Sequence, residues 1–251
     1  MYTTHRISGI PVTVCDTAEE AGERAAARTA DIIRTAAADG IARVIFASAP
    51  SQATMLQALA RLDVPWPRVE ALHMDDYIGL PSSDPRSFSQ WLADRLPTDQ
   101  MAAFHRIDGM AEVAAELRRY TDLVAAAPIT LTCMGIGVNG HIAFNEPGDT
   151  SFTDSSAIRE IVLEPESRQQ QVDEECFASL AEVPATALTL TVPVLVSARS
   201  IVMTVLGESK ARGVAAALRG PIGEAVPATA IRGHRDVMVF LDRGAASELG
   251  L

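Results

Sequence analysis

No stretch of this 251-residue chain approaches roughly 18 consecutive apolar residues, so no segment has the length of a membrane-spanning helix. The opening Met1-Tyr-Thr-Thr-His-Arg lacks the basic-then-apolar pattern of a secretory signal. Cysteine is scarce. Cys15, Cys133 and Cys176 are odd in number and widely spaced, which excludes a disulfide framework and a clustered cysteine metal site. They fit small core residues in a reducing, cytoplasmic compartment. Basic residues are outnumbered: 21 Lys and Arg against 32 Asp and Glu leave a formal charge of −11. That balance argues against nucleic acid or an anionic membrane as partner. It leaves room for an anionic small molecule, because a binding site is set by local charges. Internal repeats, low-complexity tracts and long linkers are also lacking, so a single domain over residues 1–251 is expected. What is present is ample core material, with 48% apolar residues and an ordinary 21% charged.

Residues 10–15 form a short β-like run. Asp16 and Thr17 follow, with Glu20 three residues after Thr17, which is a capping box opening a helix that Asp39-Gly40 ends. Residues 42–47 read as a buried strand, and Ser48-Ala49-Pro50-Ser51 lead into a helix over 52–62. Free N–H groups at such a helix start can hold an anion, making Ser48 and Ser51 candidate ligands. A plain capped turn fits equally well, since Pro50 has no N–H and no glycine is present. Residues 69–73 make a third strand, and the adjacent acids Asp75 and Asp76 stand at its end, either as site residues or as solvated loop acids. His73 reads as a core residue. Asp84-Pro85 predicts a helix running to residue 96, residues 104–107 a short edge strand, and residues 110–126 a helix.

Further strands are expected over 160–163, 187–191, 200–206 and 237–241, with a helix from Gly207-Glu208-Ser209-Lys210 to Arg219. Lys210 lies near a helix N-terminus, where the dipole disfavours a cation and a bound anion would rationalise it. Arg168, among Ser167 and three glutamines, is either a solvated helix start or an anion clamp. Strands alternating with helices predict an α/β protein with a mostly parallel sheet covered on both faces.

The chain is organised around Ile129-Thr-Leu-Thr-Cys-Met-Gly135-Ile-Gly137-Val-Asn139-Gly140-His141-Ile-Ala-Phe-Asn145-Glu146-Pro147-Gly148. A β-branched apolar run breaks into three glycines, and His141, Asn145 and Glu146 follow directly. Gly135, Gly137 and Gly140 match G-x-G-x-x-G, but Pro147 and Gly148 interrupt the long helix a dinucleotide fingerprint should open. The better reading is an active-site loop at the carboxyl end of a strand. A glycine turn beside an ordinary buried histidine is the bland alternative. A carboxylate five residues after the histidine and an amide two before it weigh against that.

Gly137-Val-Asn139-Gly140-His141-Ile-Ala-Phe-Asn145-Glu146-Pro147, with Met74-Asp75-Asp76-Tyr77-Ile-Gly79-Leu-Pro81 and Gly207-Glu208-Ser209-Lys210, resembles the glucosamine-6-phosphate deaminase family. The related 6-phosphogluconolactonases carry a similar glycine loop with a different continuation after the histidine. The resemblance implies a three-layer α/β/α Rossmann-like fold. It implies conversion of an amino-sugar phosphate to a keto-sugar phosphate plus ammonia, without metal or redox cofactor. It casts Asp75 as the carboxylate moving a proton between C2 and C1, His141 as the acid/base that opens the pyranose ring, Glu146 as its supporting acid, and Lys210 as a phosphate ligand. Glycines such as Gly137 and Gly140 would let backbone approach the substrate.

Three departures stand out. Asn139 occupies a position usually held by aspartate, which predicts a limitation on rate unless Glu146 already supplies the negative partner of His141. Ser48-Ala49-Pro50-Ser51 replaces a Thr-Gly-Gly-Thr-like phosphate loop. Glu174 stands where many members have an arginine, for which Arg168 is a candidate substitute. The expected activity is aldose–ketose isomerisation with deamination. A lactonase-type hydrolase and a non-catalytic sugar-phosphate sensor are the alternatives. The expected partner is a small-molecule sugar phosphate, and a homo-oligomer is compatible with the sequence.

Overall fold

The computed structural model describes residues 1–251, the side chain of Glu166 excepted. Tyr2–Ile7 (β1) and Ile10–Cys15 (β2) form an antiparallel hairpin through Ser8 and Gly9, both at positive φ. β1 is exposed along most of its length and has no apolar alternation, so nothing in its residues announces it. Thr17 caps Ala18–Asp39 (α1) by accepting from Glu20 N, and the Glu20 carboxylate returns to Asp16 N at 3.3 Å. The capping box therefore forms with its return bond one residue early. Ala42–Phe46 (β3) leads through a 3-10 turn over Pro50–Gln52 into Ala53–Arg61 (α2). Val69–His73 (β4), Asp75–Tyr77 (β5), Phe88–Ala93 (α3), Ala103–His105 (β6) and Val113–Ala125 (α4) follow. The second half contains Leu131–Met134 (β7), Ile158–Val162 (β8), Pro165–Asp173 (α5), Thr186–Leu190 (β9) and Val192–Leu195 (α6). Ser200–Val205 (β10), Ala211–Arg219 (α7) and Val237–Asp242 (β11) complete it.

The main sheet has eight strands in the order β1-β2-β11-β10-β7-β3-β4-β6, parallel throughout except for the β1–β2 pair. Its inner strands are apolar on both faces. Val44 and Phe46, Leu131 and Cys133, Val202 and Phe240 face one core shared with α1 and α2. Ile45, Met134, Met203 and Leu241, at the intervening positions, face a second core shared with α4 and α7. That alternation is what burial between two helical layers demands of a parallel sheet. The three-layer α/β/α arrangement expected from the sequence is therefore present.

Two expectations need correction. A second sheet of three antiparallel strands, β5-β9-β8, packs beside the main one. Asp75-Asp76-Tyr77 joins it through backbone pairing with β9, although acidic residues carry little strand propensity. The helix expected from Asp84 begins only at Phe88. The Asp84 carboxylate closes a turn onto Arg86 N, and Asp76, distant in sequence, accepts from the free N–H groups of Phe88 and Ser89.

The chain runs outward from β3 to β4 and β6, then returns to β7 and continues the other way to β10 and β11. The switch falls between β3 and β7. In open parallel sheets the crevice beyond the carboxyl ends at such a point is where ligands bind. Among the described residues, no helix is long and apolar enough to cross a membrane.

Candidate active site

A cleft of ≈ 500 Å³ opens at that switch point, a volume suited to a small organic molecule. Ser48 and Ser51 reach it from the end of β3, Asp75 from the end of β4, Gly137 and His141 from the end of β7, and Lys210 from the end of β10. Six residues singled out in the sequence, spread over more than half the chain, thus meet in one place.

His141 is held by two neighbours. Its Nδ1 lies 2.9 Å from Asn139 Oδ1 and 3.2 Å from Glu146 Oε1. Both are acceptors, so Nδ1 carries the hydrogen and Nε2 is left to exchange a proton. Asn139 Nδ2 donates to Glu146 Oε2 at 2.8 Å, and Ser167 Oγ donates to Glu146 Oε1. Burial raises the Glu146 pKa, but the hydrogen bond and charge of His141, with the Ser167 and Asn139 bonds, outweigh it and hold the carboxyl at about 2. The imidazole lies flat on Gly137: a Cβ there would sit 2.1 Å from Cε1 and Nε2. Gly137 is therefore required for ring placement, and it also lines the cleft. Gly140, at φ 89, makes the turn itself, and a Cβ on it would meet Val226 at 2.6 Å. It does not line the cleft. Asn145 is also structural: its amide donates to Ile142 O and Leu190 O and locks the loop.

Of the two readings of Asn139, this geometry favours the one in which Glu146 compensates. Glu146 already supplies the negative partner of the imidazole, and the amide bridges the two. Asn139→Asp would set a second carboxylate against Glu146 where a 2.8 Å hydrogen bond now stands. Like charges that close cannot both ionise cheaply. The variant is expected to melt at a lower temperature than wild type and to turn over no faster. A faster enzyme of unchanged melting temperature would restore the other reading.

The paired acids divide their work. Asp76 accepts from Tyr77 N, Ser87 Oγ, Phe88 N and Ser89 N, so it is a structural cap. Asp75 is 5% exposed, and among the described residues its carboxyl makes no hydrogen bond. Desolvation, then the nearby Asp76 charge, push its pKa well above the usual carboxylate range. Its backbone is fixed by His73. Ile107 N donates to His73 Nε2 at 2.8 Å, so His73 is neutral with Nδ1–H donating to Asp75 O at 2.9 Å. Burial lowers the His73 pKa in keeping with that state.

At the other end of the cleft, Lys210 is 6% exposed. The anion anticipated beside it is internal: Glu174 Oε1 accepts from Lys210 Nζ at 2.9 Å. Ser51 and Gln52 lie on the 3-10 turn at the start of α2, facing the same cleft. Arg168 does not reach the cleft. Its guanidinium donates to Leu180 O and Val183 O and ties down the segment after α5, so it is no substitute phosphate ligand.

Three cleft residues escaped the sequence reading. Gln52, 1% exposed, donates to Thr204 O, and among the described residues its Oε1 has no partner. Arg86 is committed to Asp84. Arg95 stacks on Trp91, 3.8 Å from the ring centroid, and its buried Nε has no partner among the described residues. None stands in a motif, and burial in a wall is not visible in local spacing. Cys176, expected in the core, is half-buried and lines the cleft.

A parallel-sheet crevice holding a buried free carboxyl, a carboxylate-oriented imidazole and a lysine belongs to the α/β proteins equipped for acid–base chemistry on a small polar molecule. The chain belongs, more narrowly, to the family described as glucosamine-6-phosphate isomerases/6-phosphogluconolactonase, whose pattern matches residues 16–240. It is 30% identical over 220 residues to a glucosamine-6-phosphate deaminase of Streptococcus equi subsp. zooepidemicus, covering 87% of this chain and 92% of that protein. It is 31% identical over 244 residues to one of Lactobacillus delbrueckii subsp. bulgaricus, covering 95% and 99%. A solved monomeric glucosamine-6-phosphate deaminase superposes with a TM-score of 0.87 at 34% identity, over 94% of this chain and 99% of that one. A Trypanosoma brucei 6-phosphogluconolactonase shares the fold, with a TM-score of 0.77 at 16% identity over 99% and 100% of the two chains.

Proposed function

We propose that this protein converts glucosamine 6-phosphate and water to fructose 6-phosphate and ammonia. The observation that carries this reading is the free, desolvated Asp75 carboxyl in the same cleft as His141. Moving hydrogen from C2 to C1 turns a 2-amino aldose into the 2-imine of a ketose. Water then adds at C2 and ammonia leaves. The hydrogen transfer needs one base that serves two adjacent carbons, and a carboxylate made more basic by desolvation suits it. Asp75 takes that role. His141, through Nε2, exchanges the proton on the ring oxygen, and Glu146 stabilises the imidazolium formed. Lys210 holds the phosphate. Asn139 keeps Glu146 and His141 aligned, while Ser48 and Ser51 offer hydroxyls to the substrate.

The reading is supported by the deaminase relatives, which exceed 30% identity in the longest alignments, whereas the lactonase likeness is one of fold. Ammonia release from glucosamine 6-phosphate, set against acid release from 6-phosphogluconolactone, decides between them. Ammonia from the first substrate and no acid from the second is the expected result. Acid alone would move the protein to the lactonase branch.

A further inference from the structure

Lys210 is already occupied. Glu174 Oε1 accepts from its Nζ at 2.9 Å and from Gln170 Nε2 at 2.8 Å. The Lys210 side chain is 8% exposed and that of Glu174 23%, so the carboxylate is the more open partner and shields the ammonium. Two local features place this acid against ordinary preference. Glu174 is the C-cap of α5, an end at which the helix dipole disfavours a negative charge. The next residue, Glu175, has φ 59, a left-handed conformation that side chains other than glycine rarely adopt. That turn lets Cys176 N and Phe177 N both bond Gln171 O, which seats Phe177 against Tyr77 and keeps Glu174 at the cleft.

We propose that Glu174 determines specificity at the anion end of the cleft, as a resident carboxylate that an incoming phosphomonoester dianion must displace from Lys210. The inference rests on the reading of Lys210 as the phosphate ligand. A carboxylate and a phosphate dianion within hydrogen-bonding distance of one ammonium repel each other, most strongly where water is sparse. Binding phosphate therefore opens the Glu174–Lys210 pair, and the cost of opening is subtracted from phosphate affinity. The same cost favours release of a phosphorylated product, because Glu174 re-closes on Lys210 behind it. A ligand bearing only hydroxyl groups leaves the pair closed and gains nothing from the ammonium.

The test is a calorimetric titration of inorganic phosphate into full-length wild type, Glu174→Gln and Glu174→Gln/Lys210→Met. Glutamine keeps the volume and a carbonyl for the Gln170 bond while removing the charge. Freeing a charged hydrogen-bonding partner is expected to tighten phosphate binding about 10-fold or more in Glu174→Gln, and the gain should vanish in the double variant. Unchanged or weaker phosphate binding in Glu174→Gln overturns the proposal, since it would mean that Glu174 only orients Lys210. Glu174→Ser gives the same reading if glutamine disturbs the turn. Absence of ammonia release by wild type would overturn the proposed reaction, and the phosphate titration would still decide the role of Glu174.

Discussion

Asp75→Asn is expected to lower kcat on glucosamine 6-phosphate by ~10²-fold or more, the usual contribution of a positioned general base, and to leave KM nearly unchanged. The substitution is unusually clean here. The Asp75 carboxyl has no hydrogen-bond partner among the described residues to lose, and asparagine keeps its shape. The backbone bond from His73 to Asp75 O is untouched. Burial works against the carboxylate, so a neutral amide should leave the melting temperature equal or higher. Lost turnover with undiminished stability is the signature of a group placed for chemistry at the expense of folding. If the variant keeps more than about a tenth of wild-type kcat, the base is elsewhere.

His141→Gln should be nearly as damaging on the cyclic substrate, by ~10²- to 10⁴-fold in kcat, because it removes the group that exchanges a proton at the ring oxygen. The variant also removes the hydrogen bond and charge that do most to lower the Glu146 pKa, leaving the Ser167 and Asn139 bonds to oppose burial. An analogue locked in the open-chain form bypasses ring opening and should suffer a much smaller loss. Equal losses on the two substrates would remove the ring-opening role.

Much of this site was legible in the sequence because its residues sit directly after strands, and strands of a parallel sheet announce themselves as apolar runs. β3, β4, β7 and β10 each show such a run, and Ser48, Asp75, His141 and Lys210 follow them closely. The small antiparallel sheet was hidden for the opposite reason: Asp75-Asp76-Tyr77 pairs through its backbone and carries no apolar period. The late start of α3 was hidden because its cap, Asp76, lies far from it in sequence. Spacing identified Asp75 and Asp76 as a pair but could not separate them, since only the four hydrogen bonds to Asp76 reveal which acid is free. Arg168 misled because an arginine among amides looks available, and its carbonyl partners at Leu180 and Val183 form only on folding. At Asn139 the sequence left open whether Glu146 compensates for the missing aspartate, because only the folded loop shows the Glu146 carboxylate 3.2 Å from His141 Nδ1.

β9 binds these pieces into one cooperative unit. Leu190 N donates to Met74 O at 2.7 Å, beside Asp75, and Leu190 O accepts from Asn145 Nδ2 at 2.8 Å, inside the His141 loop. Thr189 Oγ1 also accepts from Phe144 N. A single short strand thus clamps the Asp75 segment to the His141 loop, although no sequence motif links them. Fraying of β9 would release both groups together, so intermediate states with half a site are suppressed, and the two chemical steps share one threshold of local unfolding.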